Sequence, residues 1–134
     1  MSLSNMVSAA NKITVVSLIA GGSYAEREAW IAATLAKSSS HIPPSKSGVL
    51  LEGLPTGQLI LENTELLSVE RIAPGCFCCI GQIAMRVTLH RLLRLQLAHL
   101  YIAINDAQHL SPLKETLSQP QYAQLLTFEN EIII

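Results

Sequence analysis

The stretch Ile13-Thr14-Val15-Val16-Ser17-Leu18-Ile19-Ala20-Gly21-Gly22-Ser23-Tyr24-Ala25-Glu26-Arg27-Glu28 decides the fold class. Its first eight residues form a run of β-branched and aliphatic side chains. A strand with one wet face alternates apolar with polar residues; a strand covered on both faces does not, and two-sided burial marks a parallel sheet sandwiched by helices. The glycine pair closes the run. Residues 24–37 then change to an alanine-rich helical pattern, with Trp30, Ile31, Thr34 and Leu35 as its expected core side. Strand, glycine turn and helix in succession make one unit of an α/β fold.

Downstream the alternation repeats. Residues 38–47, with Pro43-Pro44 and several serines, read as a loop. Val49-Leu50-Leu51 within 48–54 gives a second strand, and 66–73, alternating Leu67, Val69, Arg71, a third. A leucine-rich helix is expected over 81–98, a strand over 100–104 and a helix over 110–117 opening with Ser111-Pro112. A short helix over 120–127 and a last strand over 131–134 complete the series. No internal repeat is visible. The reading is a single domain over residues 1–134, α/β, three-layered, with a mostly parallel sheet flanked by helices.

Composition narrows the function classes. The chain has 134 residues, 49% hydrophobic and 14% charged, with a formal net charge of −1. The charged fraction is well below the quarter or so usual for globular domains, which excludes a disordered tail, a collagen-like repeat and a strongly charged nucleic-acid binder. No apolar run approaches the roughly 20 residues that cross a bilayer. Asn5, Asn11 and Lys12 precede Ile13 without a basic segment feeding a long apolar one, so no signal peptide is expected. A cytoplasmic protein with no membrane or nucleic-acid partner follows. Its charge-poor surface is expected to meet a protein partner.

Charge is placed unevenly. Between Arg71 and Asn105 there is no Asp or Glu, and Arg71, Arg86, Arg91 and Arg94 give that stretch +4, leaving −5 for the rest. Arg86, His90 and Arg94 fall at i, i+4 and i+8 on one helical face. That face is either an ordinary solvated one or a receiver for an acidic partner or anion.

The three cysteines are packed into Cys76-Phe77-Cys78-Cys79. A disulfide scaffold spreads its cysteines along the chain; a cluster points to metal or redox chemistry, or to small buried hydrophobes. Three thiolates supply three of the four ligands of a tetrahedral zinc. Pro74-Gly75 and Gly81 give the backbone freedom to fold round an ion, and Arg71, Arg86 and a following helix N-terminus favour the thiolate form. The two-residue spacer of a redox dithiol is missing, and Cys78-Cys79 could pair only as a strained vicinal disulfide. His41, Glu52, His90, water or a second chain remain open as the fourth ligand.

Gly21, Gly22 and Ser23 have the frame of a phosphate-binding loop, in which helix N-terminal amides face an anion, a Lys reaches the outer phosphates and a Ser or Thr holds magnesium. No Lys-Ser or Lys-Thr pair is present. Ser23 and Glu26 instead match a capping box that satisfies the amides a phosphate would use, and Glu26 and Glu28 place negative charge at the helix start.

In order, these features resemble the nucleotide-binding domain of the CobW-type P-loop GTPases, a family linked to cobalt and zinc delivery. The specific match is Arg71-Ile72-Ala73-Pro74-Gly75-Cys76-Phe77-Cys78-Cys79-Ile80, similar to the family's strand ending in Gly-Cys-x-Cys-Cys before a Leu/Arg helix. Residues 100–113 (LYIAINDAQHLSPL) are similar to its apolar strand and Glu-Thr-x-Gly-x-x-Asp-Pro loop. The resemblance implies a truncated P-loop NTPase-like fold and a metal motif at Cys76, Cys78 and Cys79. The family's Walker lysine and hydroxyl fall near Ala25 and Glu26, its downstream Glu at Asn105, its glycine at Gln108 and its aspartate at Ser111. The guanine-reading part would lie beyond Ile134.

The expected function is therefore a CobW-like binder of zinc or another soft divalent ion in metal trafficking, without GTPase activity and without GTP or magnesium. Gly21, Gly22 and Ser23 would be the remains of its cofactor loop. Its partners would be a second copy or another metal-handling protein. A weak or partner-completed GTP site is one alternative. A dimerising or regulatory module, motivated by the apolar strand Ile132-Ile133-Ile134, is the other.

Overall fold

The computed structural model describes residues 13–38, 45–53, 55, 57, 59–73 and 82–134. Its elements are β1 (Thr14–Ala20), α1 (Tyr24–Ser38), β2 (Ser47–Glu52), β3 (Leu67–Ile72), α2 (Gln82–Leu93), β4 (His99–Ile104), a 3-10 turn (Ala107–His109), α3 (Leu110–Leu117), α4 (Pro120–Ala123) and β5 (Leu126–Ile133). The strands form one sheet in the order β3-β2-β4-β1-β5, and every pairing is parallel.

The unbroken apolar runs follow from two-sided burial. Val16, Leu18 and Ala20 of β1, Leu50 of β2 and Leu100, Ile102 and Ile104 of β4 pack on Met85, Leu89 and Leu92 of α2 and on Leu110, Leu113 and Leu117 of α3. The alternate residues Ile19, Val49, Leu51, Tyr101 and Ala103 pack on the other face with Tyr24 and Ile31 of α1. Successive side chains of a strand point to opposite faces, so a strand between two helical layers needs apolar residues at every position. The result is a three-layer α/β sandwich.

The register sets up the functional edge. Ala20 of β1 lies beside Ile104 of β4, and Leu51 of β2 lies beside Ala103. Three carboxyl strand ends are thereby level. β1 and β4 are neighbours, yet the chain leaves β1 towards β2 on one side and leaves β4 towards β5 on the other. Such a topological switch point opens a crevice at the carboxyl edge, where open α/β sheets bind ligands.

Several boundaries differ from the sequence expectation. The helix read over 81–98 ends at Leu93. The chain then turns through Gln96, a non-glycine residue at φ 56°, so that Leu97 is fully buried with its Cδ1 against Gly48. The apolar Leu95 and Leu97 that suggested more helix serve a turn and a core plug. α4 is one turn long, and the last strand begins at Leu126 rather than at residue 131. The register of β5 on β1 slips between Val16 and Ser17, pairing Val16 with Phe128 and Ser17 with Asn130. Glu129 is the extra residue of a bulge, and it breaks the alternation that a reader of sequence looks for. Among the described residues, no helix is long and apolar enough to cross a membrane.

Candidate functional site

The crevice at the switch point is bordered by Gly21, Gly22 and Ser23 after β1, Glu52 and Gly53 at the end of β2, and Asn105 after β4. Gly21 and Gly22 have φ of 84° and 60°, the left-handed region that glycine enters without steric cost. A Cβ on Gly21 would come 3.0 Å from the Ile134 carbonyl oxygen, and one on Gly22 would come 2.8 Å from Ile134 Cγ2. The Ile134 amide donates to the Ala20 carbonyl at 2.9 Å. The glycine pair thus turns the chain and lets the end of the last strand close over it.

Arg27 occupies the crevice. It comes from the first turns of α1 and is 2% exposed. Its Nη1 donates to the carbonyls of Gly21 at 2.7 Å and Gly22 at 2.8 Å, and its Nη2 donates to Asn105 Oδ1. The Asn105 amide in turn donates to Glu52 Oε1 at 2.9 Å. Burial pulls the Arg27 guanidinium below its usual value, against the opposing charge of Glu52 nearby. A guanidinium still carries its proton there, because its ordinary value lies far above neutrality.

The capping box read from the sequence is formed. The Ser23 amide donates to Glu26 Oε1 at 2.8 Å, and the Glu26 amide donates to Ser23 Oγ at 3.1 Å. These are amides that a phosphate would need. Two loop carbonyls are committed to the protein's own cation as well.

A second polar cluster lies beside the first. Glu28, 1% exposed, accepts from the amides of Ile60 at 2.9 Å and Leu61 at 2.5 Å and from Arg71 Nη2 at 3.0 Å. Arg71 also donates to the Leu61 carbonyl at 2.7 Å and to Tyr24 Oη. Burial alone would raise the Glu28 carboxyl. The Arg71 hydrogen bond, the two amides and the Arg71 charge outweigh it and hold the group below the ordinary carboxylate value. The cluster ties α1, β3 and residues 60–61 together.

These contacts correct two expectations. Glu28 adds no free negative charge to the helix start, since Arg71 neutralises it. Arg71 is equally committed and is not a free cation for thiols. Among the proposed fourth ligands, Glu52 is buried beside Asn105. His90, near the far end of α2, is bonded through Nε2 to Tyr122 Oη at 2.8 Å. Among the described residues no three His, Cys, Asp or Glu side chains converge as a metal site requires. Cys76, Cys78 and Cys79 lie outside the described residues, as does His41.

Arg27, Asn105 and the burial of Glu28 were missed by reading apolar residues alone. Tyr24, Arg27, Glu28, Ile31, Thr34 and Leu35 follow i, i+3, i+4, i+7, i+10 and i+11, so the two charges sit on the core stripe of α1. That spacing was a usable signal.

Fold and site together define a parallel three-layer α/β protein whose switch-point crevice is filled by its own arginine. Comparison finds no matching family model, no matching curated protein and no matching solved structure.

Proposed function

We propose that this chain is a non-catalytic, CobW-like metal-binding protein that holds zinc or another soft divalent ion through Cys76, Cys78 and Cys79. The observation that carries this reading is three thiols within four positions, on the stretch that joins β3 to α2. Thiolate sulfur is the donor that soft divalent ions prefer, and three such donors leave one place for water or a partner's ligand. The crevice geometry supports the loss of nucleotide chemistry. Arg27 sits where a ligand would enter, and the capping box uses amides that would otherwise bind phosphate. The protein would work in the cytoplasm, in metal trafficking, with a second copy or another metal-handling protein as partner.

The test is equilibrium dialysis of reduced full-length protein against zinc, alongside a variant in which all three cysteines are serine. Retention of one ion by the native chain and none by the variant is expected. Equal retention by both, or none by either, overturns the proposal. Millimolar GTP with magnesium is expected to leave the melting temperature unchanged.

A dimerising module is the second reading. Among the described residues β5 is the end strand of the sheet beside β1 and leaves Ile133 66% exposed, an edge of the kind that recruits another strand. Sedimentation of a strict monomer at high concentration would remove it.

A further inference from the structure

At the amino edge of the sheet, the opposite side from the crevice, lies a groove of about 450 Å³. This is within the size range of small-molecule sites, about 300 to 1,000 Å³. Leu93 and Leu125 form apolar walls, and Tyr122, His90, Gln121 and Arg94 supply the polar groups. Tyr122 is 1% exposed. Its ring lies 5.6 Å from that of His90, centroid to centroid, and its hydroxyl is fixed by the 2.8 Å contact with His90 Nε2. The polar floor is therefore held in one geometry before any ligand arrives.

Arg94 is the unused charge at the mouth. All ten acidic residues of the chain are among the described ones. Among the described residues the ion pairs are formed with Arg71, Arg91, His99 and Lys114, and Arg94 has no carboxylate partner. The backbone beyond it turns through Gln96 at φ 56°, a left-handed conformation uncommon for a non-glycine residue. This turn places Arg94 and Gln96 together on the groove.

The geometry points to a binding site for a small organic monocarboxylate, its carboxylate on the Arg94 guanidinium and its apolar body between Leu93 and Leu125. A single planar guanidinium fork matches a single carboxylate in both charge and shape. The apolar walls reward a hydrocarbon body and discriminate against inorganic anions. The site stands apart from the switch-point crevice, at the opposite edge of the sheet.

The test is an NMR chemical-shift titration of the full chain with octanoate and, separately, with the neutral octanamide. Octanoate is expected to shift resonances of Leu93, Tyr122 and Leu125 saturably at millimolar concentration. R94Q, a change at an exposed residue that leaves the fold intact, is expected to weaken octanoate by about tenfold while leaving octanamide unchanged. L125W, which fills the groove from its rim, is expected to abolish both. No saturable shift with octanoate, or equal octanoate affinity in native and R94Q proteins, overturns the assignment.

Discussion

Two charged residues on the core stripe of α1 carry much of what distinguishes this chain. Glu28 is held below the ordinary carboxylate value by Arg71 and two amides against the pull of burial. A carboxyl with a depressed folded value binds fewer protons when native than when unfolded, so its contribution is complete above the unfolded value of about 4.3 and fades as pH falls through the folded one. Unfolding free energy measured in urea should therefore fall as pH drops below about 4.3, and Glu28→Gln should flatten that fall. At neutral pH the same variant is expected to cost about 2 kcal/mol, because a neutral amide replaces a carboxylate with three donors aimed at it. Arg27→Met tests the crevice. It leaves the Gly21 and Gly22 carbonyls and Asn105 Oδ1 without their donor and Glu52 without a nearby cation. Breaking a buried charge network from one side costs about 3 to 5 kcal/mol, and a loss below about 1 kcal/mol in chemical denaturation would show that water can take the place of Arg27. Neither residue was legible as functional from hydrophobicity, although the i, i+3, i+4, i+7 spacing from Tyr24 to Ile31 pointed to both. The Ser23–Glu26 capping box was fully legible, because a cap is local and its partners lie three residues apart.

Elements were legible in proportion to how local their causes are. β1 and α3 were read almost to the residue: continuous apolar burial fixes one, and the spacing of the buried Leu110, Leu113 and Leu117 fixes the other, whose cap is His109 rather than Ser111. α2 was read too long because leucines beyond Leu93 serve tertiary contacts, with Leu97 packed over Gly48. β5 was read too short for a different reason. Before the bulge, Leu126 and Phe128 face the α2/α3 layer; after it, Ile132 faces the α1 layer. An unbulged strand would keep these three residues on one face, so the inserted Glu129 is what reconciles the sequence with burial on both sides. Deleting Glu129 should place Asn130 directly after Phe128, so that regular pairing still carries Ile132 opposite Ile19 and onto the α1 layer. The variant is expected to unfold within about 1 kcal/mol of the native chain, because no side chain changes face. A loss above about 1.5 kcal/mol, the value of exposing one large aliphatic side chain, would show that the bulge does more than switch the face of the strand.

At the scale of the whole molecule, the sheet presents two edges with different chemistry. The amino edge holds the Arg94 groove; the carboxyl edge holds the Arg27-filled crevice and leads, through the end of β3, into the cysteine stretch. An ion bound by the folded chain must stabilise it by mass action, and the size of that effect separates a built site from loose thiol affinity. At a free zinc concentration of one hundred times Kd the gain is about 2.7 kcal/mol if the unfolded chain does not compete. For a chain of this length each kcal/mol raises Tm by about 3 to 5 °C, so a rise of about 10 °C is expected. Unfolded thiols also bind zinc, which shrinks the shift without changing its sign as long as the folded site is the better one. Calorimetry of the reduced native chain with zinc should therefore show a higher Tm. The triple Cys→Ser variant should melt at one temperature with or without the ion. If zinc lowers Tm in the native chain, the thiols bind better when the protein is unfolded, and the cysteines are then residues of the interior rather than ligands.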